Sequence, residues 1–235
     1  MSTLYLNKYL KYKQKYIEFK KNSTQIAGAS VKHSLYYNAL DSNAQNKFNN
    51  FVNRDGKFNY DSLDENLKKN YNFIMTIMTE VGTTIFPKIQ PEFQNIEEVA
   101  KVAIEKHPEF FEFVSDRLKD DTDFVKYALE KDISNYKFIS DRLKKNKDFI
   151  KELIILNKDV YTHLEIFKDD KDIAFNAIKR NPKLLEFAPD VIKDDDETVD
   201  YACIIDKSVF KFASSRLQKV QGCKRNLLPA DQCTA

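Results

Sequence analysis

An apolar position returns along this chain about every 25 residues. With Leu118 as reference, Phe93 precedes it and Leu143, Phe167, Ile192 and Leu217 follow, in steps of 25, 25, 24, 25 and 25 residues. The nonapeptides FVSDRLKDD (Phe113 to Asp121) and FISDRLKKN (Phe138 to Asn146) are the clearest pair of copies. Five residues before each reference position stand Phe113, Phe138, Thr162, Phe187 and Phe212, and four before stand Val114, Ile139, His163, Ala188 and Ala213. Both sets are read as one recurring apolar face, with Thr162 and His163 as departures in the third copy.

Behind each reference position comes Asn95, Asp120, Asp169 or Asp194, with Lys145 the exception, and three residues later an acid, Glu98, Asp123, Asp148, Asp172 or Glu197. An oxygen-bearing side chain at an N-cap accepts a bond from an orphan amide, and acids favour the positive end of the helix dipole, so these sites predict helix starts. The stretches that follow, EEVAKVAIEK, DFVKYALEK, DFIKELIIL, DIAFNAIKR and ETVDYACII, carry apolar residues at the three- and four-residue spacing of a helix buried on one side. Pro, Asn, Asp and Ser end them near KHPEF, KDISN, LNKDV, RNPKL and IDKSV. Each copy is therefore two short helices. One hairpin of that size leaves much of its apolar stripe wet, and stacking neighbours covers it. The expected architecture is all-α, a solenoid of short helical hairpins with a period of about 25 residues. SDRL recurs in this reading because one contact between neighbours is made once per copy: Leu118 and Leu143 are core, while Ser115, Ser140, Asp116 and Asp141 face solvent or support the local backbone.

The array spans residues 95–219, and four other segments surround it. Residues 1–22 hold six Lys against one Glu. At helical spacing Tyr5, Tyr9, Tyr12, Tyr16 and Phe19 share a stripe, with Lys8, Lys11 and Lys15 opposite, a basic amphipathic helix. Four roles stay open for it: packing on the protein's own core, docking on a partner or sorting, contact with an anionic membrane, or contact with nucleic acid. Its candidate interaction residues are Tyr5, Lys8, Tyr9, Lys11, Tyr12, Lys15 and Tyr16. Residues 23–34, STQIAGASVKHS, read as a flexible linker. Residues 35–94 form a helical region leading into the array, with a helix from near Asp61 to a left-handed stop at Gly82 and with Phe73 and Met78 at first-helix positions. Residues 220–235 form a tail.

Composition agrees with helices: 4 Gly and 6 Pro stand beside 31% charged residues. No apolar run approaches the roughly 18 residues a membrane helix needs, nor is there the apolar core of a secretory signal, which predicts a soluble, intracellular protein. Cys203, Cys223 and Cys233 lack metal-ligand spacing. Cys203 falls on a helical apolar face, and whether Cys223 and Cys233 pair is open. His33, His107 and His163 are scattered, and His107 before Pro108 reads as a turn residue. NRDGKFNYDSLDE has a superficial likeness to a calcium loop, but Phe51 and Ser62 would stand where the first carboxylate and the bidentate Glu belong, leaving a plain turn at Asp55-Gly56. No catalytic, cofactor or metal motif is found, and an enzyme is not expected. Residues 95–219 carry 23 basic and 27 acidic side chains, a balance that disfavours nucleic acid as ligand of the array and leaves protein recognition on a concave face open.

The run from NIEEVAKVAIEKHPEFFEFVSDRLKDD to DKSVFKFASSRL resembles the repeat family known as domain of unknown function 4116, abundant in giant viruses of the mimivirus type. The N-terminal YLNKYLKYKQKYIEFKKN resembles a Lys- and Tyr-rich leader carried by many giant-virus proteins. Together the two resemblances imply a viral source and a helical repeat, and they bring no catalytic residues. The expectation is a non-catalytic structural or protein-interaction module, in the host cytoplasm, viral factory or virion. The alternative is a host-directed effector that binds a host protein or nucleic acid, with the basic leader aiding its targeting.

Overall fold

The structure, a computed structural model, describes residues 35–52 and 59–224; the leader, the linker, the Asn53 to Phe58 stretch and residues 225–235 lie outside it. Among the described residues every regular element is helical. Five ten-residue helices mark the array: α1 (Glu97–Lys106), α2 (Thr122–Lys131), α3 (Lys147–Leu156), α4 (Lys171–Arg180) and α5 (Asp196–Ile205). Four of them are followed by a six-residue 3-10 helix, Pro108–Phe113, Ile133–Phe138, Pro182–Phe187 or Lys207–Phe212. A single α-turn, such as Asp116–Lys119 or Asp141–Lys144, then leads to the next long helix. The unit has three elements, not two. The same cycle is present earlier in Glu65–Lys68, Tyr71–Val81 and Thr83–Lys88.

Each long helix buries two adjacent pairs of side chains one turn apart, as in Val99, Ala100, Ala103 and Ile104 of α1 or Phe149, Ile150, Leu153 and Ile154 of α3. Ala103, Ala128, Ala177 and Ala202 occupy one position of this set, where a small side chain brings neighbouring units close. Three of these 3-10 helices bury two consecutive residues, as in Leu184 and Leu185, whereas Pro108–Phe113 buries Phe111 alone. Of the reference residues, Phe93, Leu118, Leu143, Ile192 and Leu217 are at most 1% exposed while Phe167 is only partly buried against the core, which runs unbroken from Tyr37 to Leu217. Phe48, on the helix Ser42–Val52, meets the ring of Phe73 edge-on at 6.1 Å, so residues 35–52 close the N-terminal end of the stack.

The helix starts lie one residue later than the spacing predicts. Asp121, Asn146, Asp170 and Asp195 are the N-caps, their side chains accepting from Phe124, Phe149, Ile173 and Thr198 amides. Asp120 and Asp194 instead close the preceding α-turn, as Asn95 does before α1, and Asp169 lies in a turn. Phe113 and Phe187 are 38% and 52% exposed, so the face five residues before the reference is not core; the next residues, Val114 and Ala188, are buried. In the third copy the buried residue is Leu164, at 3%, while His163 is exposed. The copy is short by one residue after Leu164, not before it: Leu164 follows Ile139 by 25 and the N-cap Asp170 follows Asn146 by 24. No α-turn forms there, and Phe167 absorbs the deletion with φ of +65°.

An insertion is absorbed differently. The Tyr71 helix has one residue more between its caps than α1 to α5, and its last turn, Ile77–Val81, is a π-turn in which Gly82 N–H reaches Ile77 carbonyl at 2.9 Å. A single extra residue in an α-helix widens one turn in this way. Gly82 stops the helix at φ 151° and ψ 161°, a positive-φ extended conformation and not the left-handed helical stop expected. The helix itself begins at Tyr71, after Asn70 as cap, not near Asp61. Phe73 and Met78 are both fully buried.

Candidate functional site

The SDRL motif is a clasp between units. The Ser140 hydroxyl accepts the Leu143 amide at 3.2 Å, capping its own α-turn, and donates to the Asp120 carboxylate of the unit before. Arg142 Nε donates to both oxygens of that carboxylate at 2.9 Å, and Nη2 to the Asp120 carbonyl at 2.8 Å. Ser140 N–H meets the Lys119 carbonyl at 3.0 Å. Ser214 and Arg216 hold Asp194 in the same manner, with Arg216 Nη2 on the carbonyl at 2.8 Å. Ser115 and Arg117 hold Asn95, both reaching its Oδ1, at 2.7 and 2.8 Å. A hydroxyl has one proton and two lone pairs, so one serine can cap and clasp together. These serines therefore do more than face solvent. The Ser140 and Arg142 bonds hold Asp120 below the usual carboxylate range, and those of Ser214 and Arg216 do the same for Asp194.

The unit that carries α4 departs from this scheme on both sides. Its first segment lacks an α-turn, Glu165 and Phe167 stand where Ser and Arg would, and Lys145 stands where the clasped acid would. At its far side Pro189 supplies neither hydroxyl nor amide proton. At these two joints a lysine opening one long helix pairs with the N-cap of the next: Lys147 with Asp170 at 2.7 Å and Lys171 with Asp195 at 2.6 Å. Burial pushes Asp170 and Asp195 up, but the lysine bonds and the capped amides outweigh it and hold both below the ordinary range. The corresponding residues at the clasped joints, Glu97, Thr122 and Asp196, are not lysines. Two kinds of latch thus serve one stack, clasps at the first two joints and the last and lysine pairs at the two between them.

What the joints do not consume faces solvent. At the C-terminal ends of the long helices, Glu105 of α1 pairs with Lys131 of α2 at 2.7 Å and accepts from Tyr127 at 2.7 Å. The equivalent residues of α3 and α5 are Ile155 and Leu156, and Ile204 and Ile205, all at least half exposed. A groove of about 180 Å³ beside Leu156 is walled by Leu129, Leu153 and Val160 with Glu130 and Asn157. On the opposite rim Phe138 and Phe212 lie under Lys137 and Lys211, with the ammonium 4.6 and 4.8 Å from the ring centroid, while Phe187 is open.

His107 caps α1 and stacks on Phe110 with centroids 4.8 Å apart, Nδ1 lying 3.2 Å from Glu109, which is the turn role expected of it. Cys203 is buried in α5. Among the described residues no three His, Cys, Asp or Glu side chains gather as metal ligands would, and no helix is long and apolar enough to cross a membrane. Tyr5, Lys8, Tyr9, Lys11, Tyr12, Lys15 and Tyr16, the calcium-loop residues Asn53, Asp55, Gly56 and Phe58, and Cys233 lie outside the described residues. The clasp was not foreseen from the repeat, although a signal was present: Ser-x-Arg occurs only where an Asp or Asn stands 20 residues before the serine.

No curated protein and no solved structure matches the chain. A family model described as Domain of unknown function (DUF4116) matches residues 97–136, 124–167 and 170–218. The three segments fall within the stacked array and together cover just over half of the sequence. The chain belongs to the DUF4116 family.

Proposed function

We propose that this chain is a non-catalytic scaffold of a giant virus, in which the stacked units hold a surface for another protein. The observation that carries the reading is the division of labour within the repeat. Its recurring polar residues, Ser140, Arg142 and Asp120 and their counterparts, are spent on joints between units. The exposed ends of the long helices change from charged to aliphatic between one unit and the next. A surface that varies on a constant frame is how solenoids read partners. The viral source is supported by the family and by the resemblance of the leader to those of giant-virus proteins. Its place of action would be the host cytoplasm, the viral factory or the virion.

The test is affinity capture with the purified full chain, paired with unbiased turnover assays on hydrolysable, phosphorylated and redox-active substrate panels. Recovery of a protein that the free chain competes away supports the reading. Turnover that tracks the chain through purification, or no protein recovered under any condition, overturns it.

A further inference from the structure

We propose that the ridge formed by the last residues of α3, α4 and α5 docks an acidic segment of another protein that carries apolar residues at both ends. This rests on the protein-interaction reading above and names the surface and the chemistry of its partner. Ile155 and Leu156 end α3 with 63% and 50% exposure, and Ile204 and Ile205 end α5 with 73% and 52%. Between them α4 ends in Lys179 and Arg180, both exposed. Among the described residues Arg180 bonds a carbonyl of its own helix alone, that of Asn176 at 2.9 Å, and Lys179 lies 5.8 Å above the Tyr201 ring. Neither has a carboxylate within ion-pair distance among the described residues, in contrast to Lys131, which Glu105 neutralises on the same rim.

Charge selects the partner. The array holds more acids than bases, yet the loops just beyond this ridge add Lys158, Lys183 and Lys207 to Lys179 and Arg180, against Asp159 and Asp206. A basic edge on an acidic body draws a negatively charged segment to one place. Neighbouring helices pack roughly 8–10 Å apart, so the two aliphatic pairs lie about 20 Å from one another, which about 13 residues of helix would span. The groove at the α3 end is lined by Leu129, Leu153, Leu156 and Val160 together with Glu130 and Asn157, room for one apolar side chain but not for an acidic one. A bilayer would be met by one continuous apolar face, and here a charged pair splits the aliphatic residues into two. Ile155 lies within the stack and not at its end, so its exposure does not come from a missing neighbour.

The experiment is fluorescence anisotropy on the full chain with a labelled probe peptide, a glutamate run flanked by leucine pairs, and its twin with lysines in place of the glutamates. The wild type is expected to bind the acidic probe and not the basic one. Ile204→Asp should weaken the acidic probe about tenfold or more, as loss of one central anchor does. The Lys179→Glu, Arg180→Glu double variant should exchange the preference. All these side chains are exposed, so unchanged melting temperatures show that the variants fold. Equal affinity for both probes, or variants that bind as wild type does, overturns the proposal. So does a ridge whose only response is to phosphatidylserine vesicles, or concentration-dependent self-association that Ile204→Asp abolishes. If the wild type captures a protein and the ridge variants capture it equally, the surface is wrong and the interaction-module reading stands. If nothing is captured, the reading itself falls.

Discussion

Truncating Ser140, Arg142 and Leu143 of the second SDRL motif in turn should produce losses of stability in a definite order, with Leu143 far ahead of the other two. Leu143 is completely buried, and Leu→Ala at such a site removes transfer energy and leaves a cavity, about 2.7–5 kcal/mol together. Ser140 caps the α-turn through the Leu143 amide, and losing such a cap costs about 1 kcal/mol, with the bond to Asp120 adding to it. Arg142 makes three bonds to Asp120, but the pair is 59% and 38% exposed, and pairs so well hydrated contribute about 0.2–1 kcal/mol. The expected order is Leu143→Ala, then Ser140→Ala, then Arg142→Ala, with a gap of at least about threefold between first and last. Urea titration followed by far-ultraviolet circular dichroism measures it, and an unchanged slope would show that the transition stays cooperative, which a linear array does not guarantee. Comparable losses from Leu143→Ala and Arg142→Ala would refute the reasoning, because the clasp and not the core would then hold the units together.

Acid should act on the joints. The native pKa of Asp120, Asp170, Asp194 and Asp195 is depressed, so their contribution is fully present above the unfolded carboxylate value, about 4, and is lost as pH falls through the native values. Stability of the Asp120→Asn variant should accordingly fall less steeply below about pH 4 than wild type, and parallel curves would show that Asp120 is not a linked group. The Tyr136 hydroxyl is buried without a hydrogen-bond partner among the described residues, and burial pushes its pKa up to about 12. Tyr136→Phe should therefore leave the melting temperature unchanged or raise it, and a loss of more than about 1 kcal/mol would mean the hydroxyl is satisfied. Glu98 accepts from both Tyr36 and Tyr71, so Glu98→Ala should speed amide exchange in Ser42–Val52 more than in α3, and uniform acceleration would contradict a local tie. Micromolar Zn2+ or Ca2+ should leave the melting temperature unchanged, and a rise of several degrees would point to ligands that the sequence pattern does not bring together.

The period was legible because burial repeats it: Leu118, Leu143, Ile192 and Leu217 are core where the spacing puts them. Less legible was anything decided by one residue. Asp120 and Asp121 are both good caps by type, and only the chain geometry decides that Asp121 starts the helix while Asp120 receives the clasp. Apolarity placed Phe113 and Phe187 in the core, but a 3-10 turn carries its face past them and buries Val114 and Ala188 instead. The missing residue near Leu164 and the extra one near Ile77 shift periodicity equally, and pattern alone does not say whether a bend or a π-turn absorbs them. The ridge at Ile155 and Ile204 was hidden because an exposed aliphatic pair and a buried one read alike in sequence.

The most direct measurement of the functional claim is titration calorimetry of the full chain against a purified protein recovered by capture. The account predicts saturable binding that leaves both proteins chemically unchanged by mass, weakened about tenfold or more when Ile155 and Ile204 are replaced by Asp at unchanged melting temperature. A covalent change in the captured protein, produced by the chain in catalytic amounts, would contradict it.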